Sequence, residues 1–267
     1  KIANQFGLCI PGKEMKLKAL QWESNGFLDQ FTQEYWDSVS NHVDLVNMSR
    51  VPERLFDDII DRFPYFHYIK QNSRDDGLYL ITASKHNILS KIKKFRLPAY
   101  SKVKNLMPGG GSVAISYYIN DTQIVNIHPT FSSLPNGISD RDNIQDLSFI
   151  FQNIVKSKNC AVIGDFHKQP NIVNQHTSLI NRNKFTSHLD SLGTFTQHND
   201  GRMWYDHNEK TGKLTKKEDP WEHTIFVTNL DRCLTRGEVT VENVLCYHTP
   251  IENKSLHFAV SYNLTII

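Results

Sequence analysis

The chain has 267 residues, 39% of them hydrophobic, enough to bury one large core or two modest ones. Lys and Arg number 30 against 28 Asp and Glu, a formal charge of +2, so charge alone gives nucleic-acid binding no support. Cys9, Cys160, Cys233 and Cys246 are scattered without a C-x-x-C pair, which argues against a disulfide framework or a cysteine zinc site, and no run approaches ~18 apolar residues. The chain is expected to be soluble. It opens on Lys1, so its compartment stays open.

In chain order, residues 1–14 read as an N-terminal arm and 15–267 as one domain. "LKALQW" (17–22) and "VDLVNM" (43–48) read as strands, with a helix over 32–43 that aligns Trp36, Val39 and Val43. Pro52 opens a second helix, 52–63, which repeats Leu55, Ile59 and Phe63 on one face. "GLYLITA" (77–83) is a strand, and the basic run "SKIKKFR" (90–96) reads as a solvated loop or helix end. Strands 112–119 and 122–128 form a hairpin turning at Asn120 and Asp121. The strongest amphipathic signal is a helix over 141–157, followed by the strand 160–166, with Cys160 as a buried hydrophobe, and a weaker helix over 183–192. Residues 196–223 are polar and aperiodic, so 196–219 is expected to be the most mobile long segment. Strands over 223–230, 241–248 and 257–266 close the chain. Helices alternating with strands and hairpins argue for an α/β sandwich rather than a purely parallel sheet.

Six short motifs sit at the predicted strand ends. They are "QWESN" with Glu23, "NMSRVPE" with Arg50, "VNIHP" with His128, "VIGDFH" with Asp165 and His167, "EHTIFV" with Glu222 and His223, and "SLHFAV" with His257. In this order they resemble the endonuclease/exonuclease/phosphatase (DNase I-like) superfamily from about residue 15 onward. The resemblance implies a four-layer α/β/β/α sandwich of two mixed sheets, with a Mg²⁺-dependent phosphoesterase site on one rim. There a carboxylate cluster holds the cation, and an Asp–His pair activates water. His128, Asp165 and His257 stand at retained catalytic positions under this resemblance.

Other positions depart from it. Glu23 stands where the family has Asn, Arg50 where it has its principal metal-binding Glu, and His167 where it has Asn. His223 stands at an Asp position, and Leu256, before His257, replaces an Asp. At ~4 Å and an effective dielectric of ~20, exchanging a carboxylate for Arg turns roughly 8 kcal/mol of attraction for a dication into a similar repulsion. Arg50 is therefore expected in the rim pocket, paired with Glu23, Asp165 or both, since this reading puts no Lys or other Arg at a neighbouring strand end.

Glu23, Arg50, His167 and His223 are accordingly read as binding residues, and no cofactor is expected. The leading reading is a superfamily member with a degraded magnesium site, acting by binding a protein partner or phosphorylated ligand. The alternatives are an active Mg²⁺-dependent phosphodiesterase with rearranged ligands, nuclease-like or sphingomyelinase-like, and a purely structural module. His167, His223 and His257 with Asp165 are also a nitrogen-rich set for Zn²⁺ or Mn²⁺.

Overall fold

Apolar residues run almost unbroken through 78–83, 113–119 and 160–163, as expected of strands that bury both faces. The computed structural model describes residues 14–24, 30–71, 77–104, 111–130, 140–167, 172–189, 195–198, 205–208, 213–216, 225–228, 231–247, 256–257 and 259–267. The first half runs β1 (Met15–Glu23), α1 (Gln30–Ser40), β2 (Leu45–Pro52), a 3-10 turn into α2 (Phe56–Arg62), β3 (Tyr65–Lys70) and β4 (Leu78–Ser84). Next come β5 (Ser90–Arg96), α3 (Tyr100–Val103), β6 (Val113–Ile119), β7 (Thr122–His128) and α4 (Asp140–Phe149), which ends in a π-helical turn, Ile150–Ile154. They are followed by β8 (Cys160–Asp165), α5 (Val173–Arg182) and β9 (Thr186–Ser187). The last part holds β10 (Phe195–His198), β11 (Tyr205–Asn208), β12 (Lys213–Lys216), β13 (Ile225–Thr228), β14 (Asp231–Arg236), β15 (Thr240–Cys246), β16 (Leu256–His257) and β17 (Val260–Ile266).

Two six-stranded mixed sheets result, ordered β15-β17-β1-β2-β4-β3 and β5-β6-β7-β8-β14-β9. Three apolar clusters define four layers. Leu17, Ala19, Leu45 and Leu80 of the first sheet meet Ile115, Tyr117, Ala161 and Ile163 of the second between the sheets. Trp36 and Val39 of α1 and Ile59 of α2 cover the outer face of the first sheet over Leu20, Trp22, Val46 and Met48. Leu147, the π turn and Ile180 of α5 cover the second over Val125, Val162 and Leu234. Buried polar contacts also tie the sheets together. Asn126 Nδ2 donates to the Ile81 carbonyl at 2.7 Å, and the Tyr117 hydroxyl to Asn47 Oδ1 at 2.9 Å.

Several elements differ from the sequence expectation. Residues 90–96 form an edge strand rather than a loop or helix end; Lys91, Lys93 and Lys94 are exposed along it while Ile92 and Phe95 are half-buried. Lysines on an edge strand blunt further pairing, so a strand can look like a solvated run. The helix expected over 183–192 lies earlier, at Val173–Arg182, and β3 carries no counterpart in the sequence reading. Within 196–223, β11 and β12 pair as an antiparallel ribbon, so part of the presumed loop is strand. Residues 196–198 belong to β10; the rest of that segment, on which the expected mobility of 196–219 falls, and residues 1–13 of the arm lie outside the described residues.

Asp146 on α4 yields a test of the fold. Its carboxylate accepts the Ala99 N–H at 2.9 Å and the Thr130 N–H at 3.0 Å, stitching α4 to the two loops that approach the rim. Burial pushes its pKa up to about 6 against the two hydrogen bonds. The folded value exceeds the unfolded one, so the protonated form stabilises the fold fully below pH ~4, and that contribution, about 3 kcal/mol, is lost as pH rises through ~6. Asp146→Asn is expected to flatten this slope between pH 4 and 6 in urea titrations. Relative to the protonated parent below pH ~4 it is expected to cost about 1–2 kcal/mol, because its NH₂ must face one of the two donors.

Candidate functional site at the strand rim

Six strands, β1, β2, β7, β8, β14 and β16, bring side chains to one rim. Parallel pairing of β1 with β2 sets Glu23 beside Ser49, and parallel pairing of β7 with β8 sets Ile127 beside Gly164, so His128 and Asp165 end adjacent strands. Antiparallel β14 sets Asp231 directly opposite Asp165. His257 arrives on β16, held by its carbonyl to the Trp22 indole N–H at 3.0 Å. Tyr35 of α1 supports that approach, its hydroxyl accepting the Ala259 N–H at 2.7 Å.

Local backbone conformation aims two of the side chains. The β2–β4 register shifts between Met48 and Val51, and within this bulge Arg50 has φ 54°. Its N–H donates to Gln71 Oε1 at 2.6 Å and its carbonyl accepts the Ser24 hydroxyl at 2.9 Å. A bulge next to a site re-aims a side chain, and here it turns Arg50 inward. His167 has φ 48°, and its N–H donates to Asp165 Oδ1 at 2.7 Å. Left-handed backbone in non-glycine residues is uncommon and gathers at functional sites.

The side chains form one buried network. Arg50 Nε lies 3.5 Å from Glu23 Oε1, and His257 Nε2 lies 2.6 Å from Glu23 Oε2. His257 Nδ1 lies 3.0 Å from Asp231 Oδ2, and its Nε2 is 3.7 Å from Asp165 Oδ2. His167 Nδ1 is 3.1 Å from the same Asp165 oxygen, and the His128 and His167 rings meet edge to face at 4.7 Å. Glu23, Arg50, His128, Asp165, His167, Asp231 and His257 are all buried.

Charge follows from this geometry. An imidazole between two carboxylates donates from both nitrogens only when protonated. Burial opposes the charge on His257, but Glu23, Asp231 and Asp165 outweigh it and hold its pKa well above the usual value. Burial likewise raises Glu23, yet His257 and Arg50 bring it well below the ordinary carboxylate range. Asp165 is pushed up to about 8 by burial, with Asp231 and Glu23 adding to the rise and His257 resisting it. Burial lowers His128 to about 3 and pushes His167 well below its usual value, with Arg50 and His257 adding to both effects, so both rings are neutral at pH 7.

Both oxygens of Glu23 thus face cationic groups. A hard dication that keeps its own waters needs carboxylate oxygens able to turn toward it, so an ion here would compete with Arg50 and His257 for Glu23, which with Asp165 and His257 offers ligand atoms within 4.8 Å of one another. The cluster can instead fix charge at the rim and present neutral imidazoles beside Asp165.

Of the residues singled out from sequence, Glu23, Arg50, His128, Asp165, His167 and His257 come together here, whereas His223 lies outside the described residues. Asp231 was missed. The strand next to β8 is β14, while the one containing 225–228 pairs with β10 in a small three-stranded sheet. The signal was short, "DRCLTR", with Cys233 and Leu234 as its apolar centre and Asp231 at its head. Arg232 corrects a second expectation, for it is another buried arginine at a neighbouring strand end.

No protein-family model matches the sequence, and no curated protein sequence matches it. Solved structures do. An endonuclease/exonuclease/phosphatase structure from Beutenbergia cavernae superposes with a TM-score of 0.61 at 13% identity, over 93% of this chain and 71% of its own. A family structure from Bacteroides thetaiotaomicron matches with a TM-score of 0.60 at 10% identity, over 96% of both chains. A 3′ phosphatase from Neisseria, bound to a product DNA hairpin, matches with a TM-score of 0.57 at 13% identity, over 92% of this chain and 98% of its own. The chain therefore carries the DNase I-like fold of the endonuclease/exonuclease/phosphatase superfamily.

Proposed function

We propose that this chain is a divergent phosphoesterase-fold protein in which Arg50 takes the place of the catalytic magnesium, and that it acts by binding a phosphorylated ligand. The observation that carries this reading is the buried Arg50 guanidinium 3.5 Å from Glu23, whose other oxygen faces His257. The guanidinium and the imidazolium supply positive charge at the rim without an ion. Magnesium titrated calorimetrically is expected to show no saturable site below millimolar concentration. Hydrolysis of bis(p-nitrophenyl) phosphate with Mg²⁺ is expected to stay at the uncatalysed rate. A tight stoichiometric Mg²⁺ isotherm would sink the reading. The combined variant Glu23→Asn, Arg50→Glu, Leu256→Asp, which rebuilds the ligand set the resemblance implies, is expected to gain Mg²⁺ affinity.

One observation favours a second reading, an active phosphodiesterase with rearranged ligands. Asp231 and His257 form an aspartate–histidine pair at 3.0 Å, the arrangement that orients an imidazole for proton transfer. Measurable turnover that is abolished in both Asp231→Asn and His257→Gln would favour it over binding alone.

A further inference from the structure

Asp165 has a second set of neighbours, His128 and His167. His128, Asp165 and His167, all buried, each offer one ligand atom, and these atoms lie within 4.8 Å of one another. We infer that His128, Asp165 and His167 form a two-histidine, one-carboxylate site for a borderline first-row dication of the Zn²⁺ class. The inference rests on the reading above, in which Arg50 and His257 keep any ion off Glu23.

The donor chemistry selects the class of ion. Two imidazole nitrogens and one carboxylate oxygen suit Zn²⁺ and its first-row neighbours, whereas Mg²⁺ and Ca²⁺ take oxygen ligands. Spacing is close to what such an ion needs. Bonds of ~2.0–2.1 Å at tetrahedral angles place ligand atoms roughly 3.4 Å apart, and His167 Nδ1 is 3.1 Å from Asp165 Oδ2. The perpendicular His128 and His167 rings, 4.7 Å apart, point two imidazoles at one region from adjoining chain segments.

Backbone geometry supports the same assignment independently. Asp165 and His167 are two residues apart at the β8 tip, and the left-handed conformation of His167 folds its ring back beside the Asp165 carboxylate. Asp165 Oδ1 is taken by the His167 N–H, so Oδ2 is the oxygen turned toward the imidazole. That bond supports the ligand from behind. On the far side of His128, a Cβ at Gly111 would come within 2.5 Å of Nδ1, so the chain needs glycine there to let the ring sit where it does.

His257 does not belong to this set. It faces three carboxyl groups, with Glu23 at 2.6 Å, Asp231 at 3.0 Å and Asp165 farthest at 3.7 Å. Asp165 thus has the weakest share of that imidazolium, and a further cation beside it meets an unsatisfied electrostatic demand.

The test uses the full chain stripped with EDTA and titrated with Zn²⁺ alone, then with Co²⁺, whose visible bands report geometry and nitrogen ligation. One Zn²⁺ per chain is expected, with affinity falling at least ~100-fold in His167→Asn and in His128→Gln, and surviving in Glu23→Gln. His167→Asn keeps the fold testable, because asparagine tolerates left-handed backbone. Absence of a saturable Zn²⁺ site overturns the proposal, as does Zn²⁺ binding undiminished in the His128→Gln/His167→Asn double variant. A tight Mg²⁺ isotherm that disappears in Glu23→Gln would overturn the binding reading above. The response of Zn²⁺ affinity to His128 and His167 would still decide this one.

Discussion

Gly164→Ala is expected to cost at least about 4 kcal/mol or to abolish folding. Gly164 precedes Asp165 on β8 with φ 143°, a conformation side chains rarely adopt, and a Cβ there would collide with the Ile127 carbonyl oxygen. Neither obstacle can move cheaply. Ile127 is buried in the central β7–β8 pairing, and the Gly164 carbonyl itself accepts from Gln21 Nε2 at 3.1 Å across the two sheets. Equilibrium urea unfolding measures the effect. A variant within 1 kcal/mol of the parent would mean that β7 and β8 do not approach in this way, and the positions of His128 and Asp165 would have to be revised with them.

Arg50→Ala is expected to destabilise the fold by about 3 kcal/mol, without creating hydrolytic activity. Removing one partner of a buried ion pair leaves the other charge in a medium that solvates it poorly. Glu23, 1% exposed, then faces His257 through its other oxygen at 2.6 Å. Arg50→Gly separates the charge from the backbone. The loss of the ion pair is the same, but glycine accepts φ 54° without strain, so it should be about 1 kcal/mol more stable than Arg50→Ala. If Arg50→Ala were as stable as the parent, the guanidinium would not be compensating Glu23. Magnesium could then reach that carboxylate unopposed.

Much of the architecture was legible because burial leaves periodic marks. The apolar runs around Leu20, Val46, Ile81, Ile115, Ile124 and Val162 became the central strands, and Trp36, Val39, Ile59 and Leu147 became the helix faces covering them. Edge and polar strands were not legible. In β5, lysines occupy three of seven positions because water and neighbouring aromatic rings receive them; Lys94 Nζ stands 4.9 Å from the Tyr68 ring centroid. In β14, Asp231 and Arg232 are charged yet buried, so composition pointed away from a strand that pairing with β8 enforces.

Sequence by itself determined the two-sheet sandwich and most of the rim, since each motif lay at the end of an apolar run whose direction and length were already set. It also placed a cation, Arg50, where the resemblance called for a carboxylate. Only the tertiary structure decided which of those groups meet. Pairing of β14 with β8 brought Asp231 to His257, and the bulge in β2 turned Arg50 onto Glu23. The left-handed turn after β8 laid His167 against Asp165 beside His128. Contacts of this kind depend on register and on single φ angles, which residue order constrains only through the packing of the whole chain.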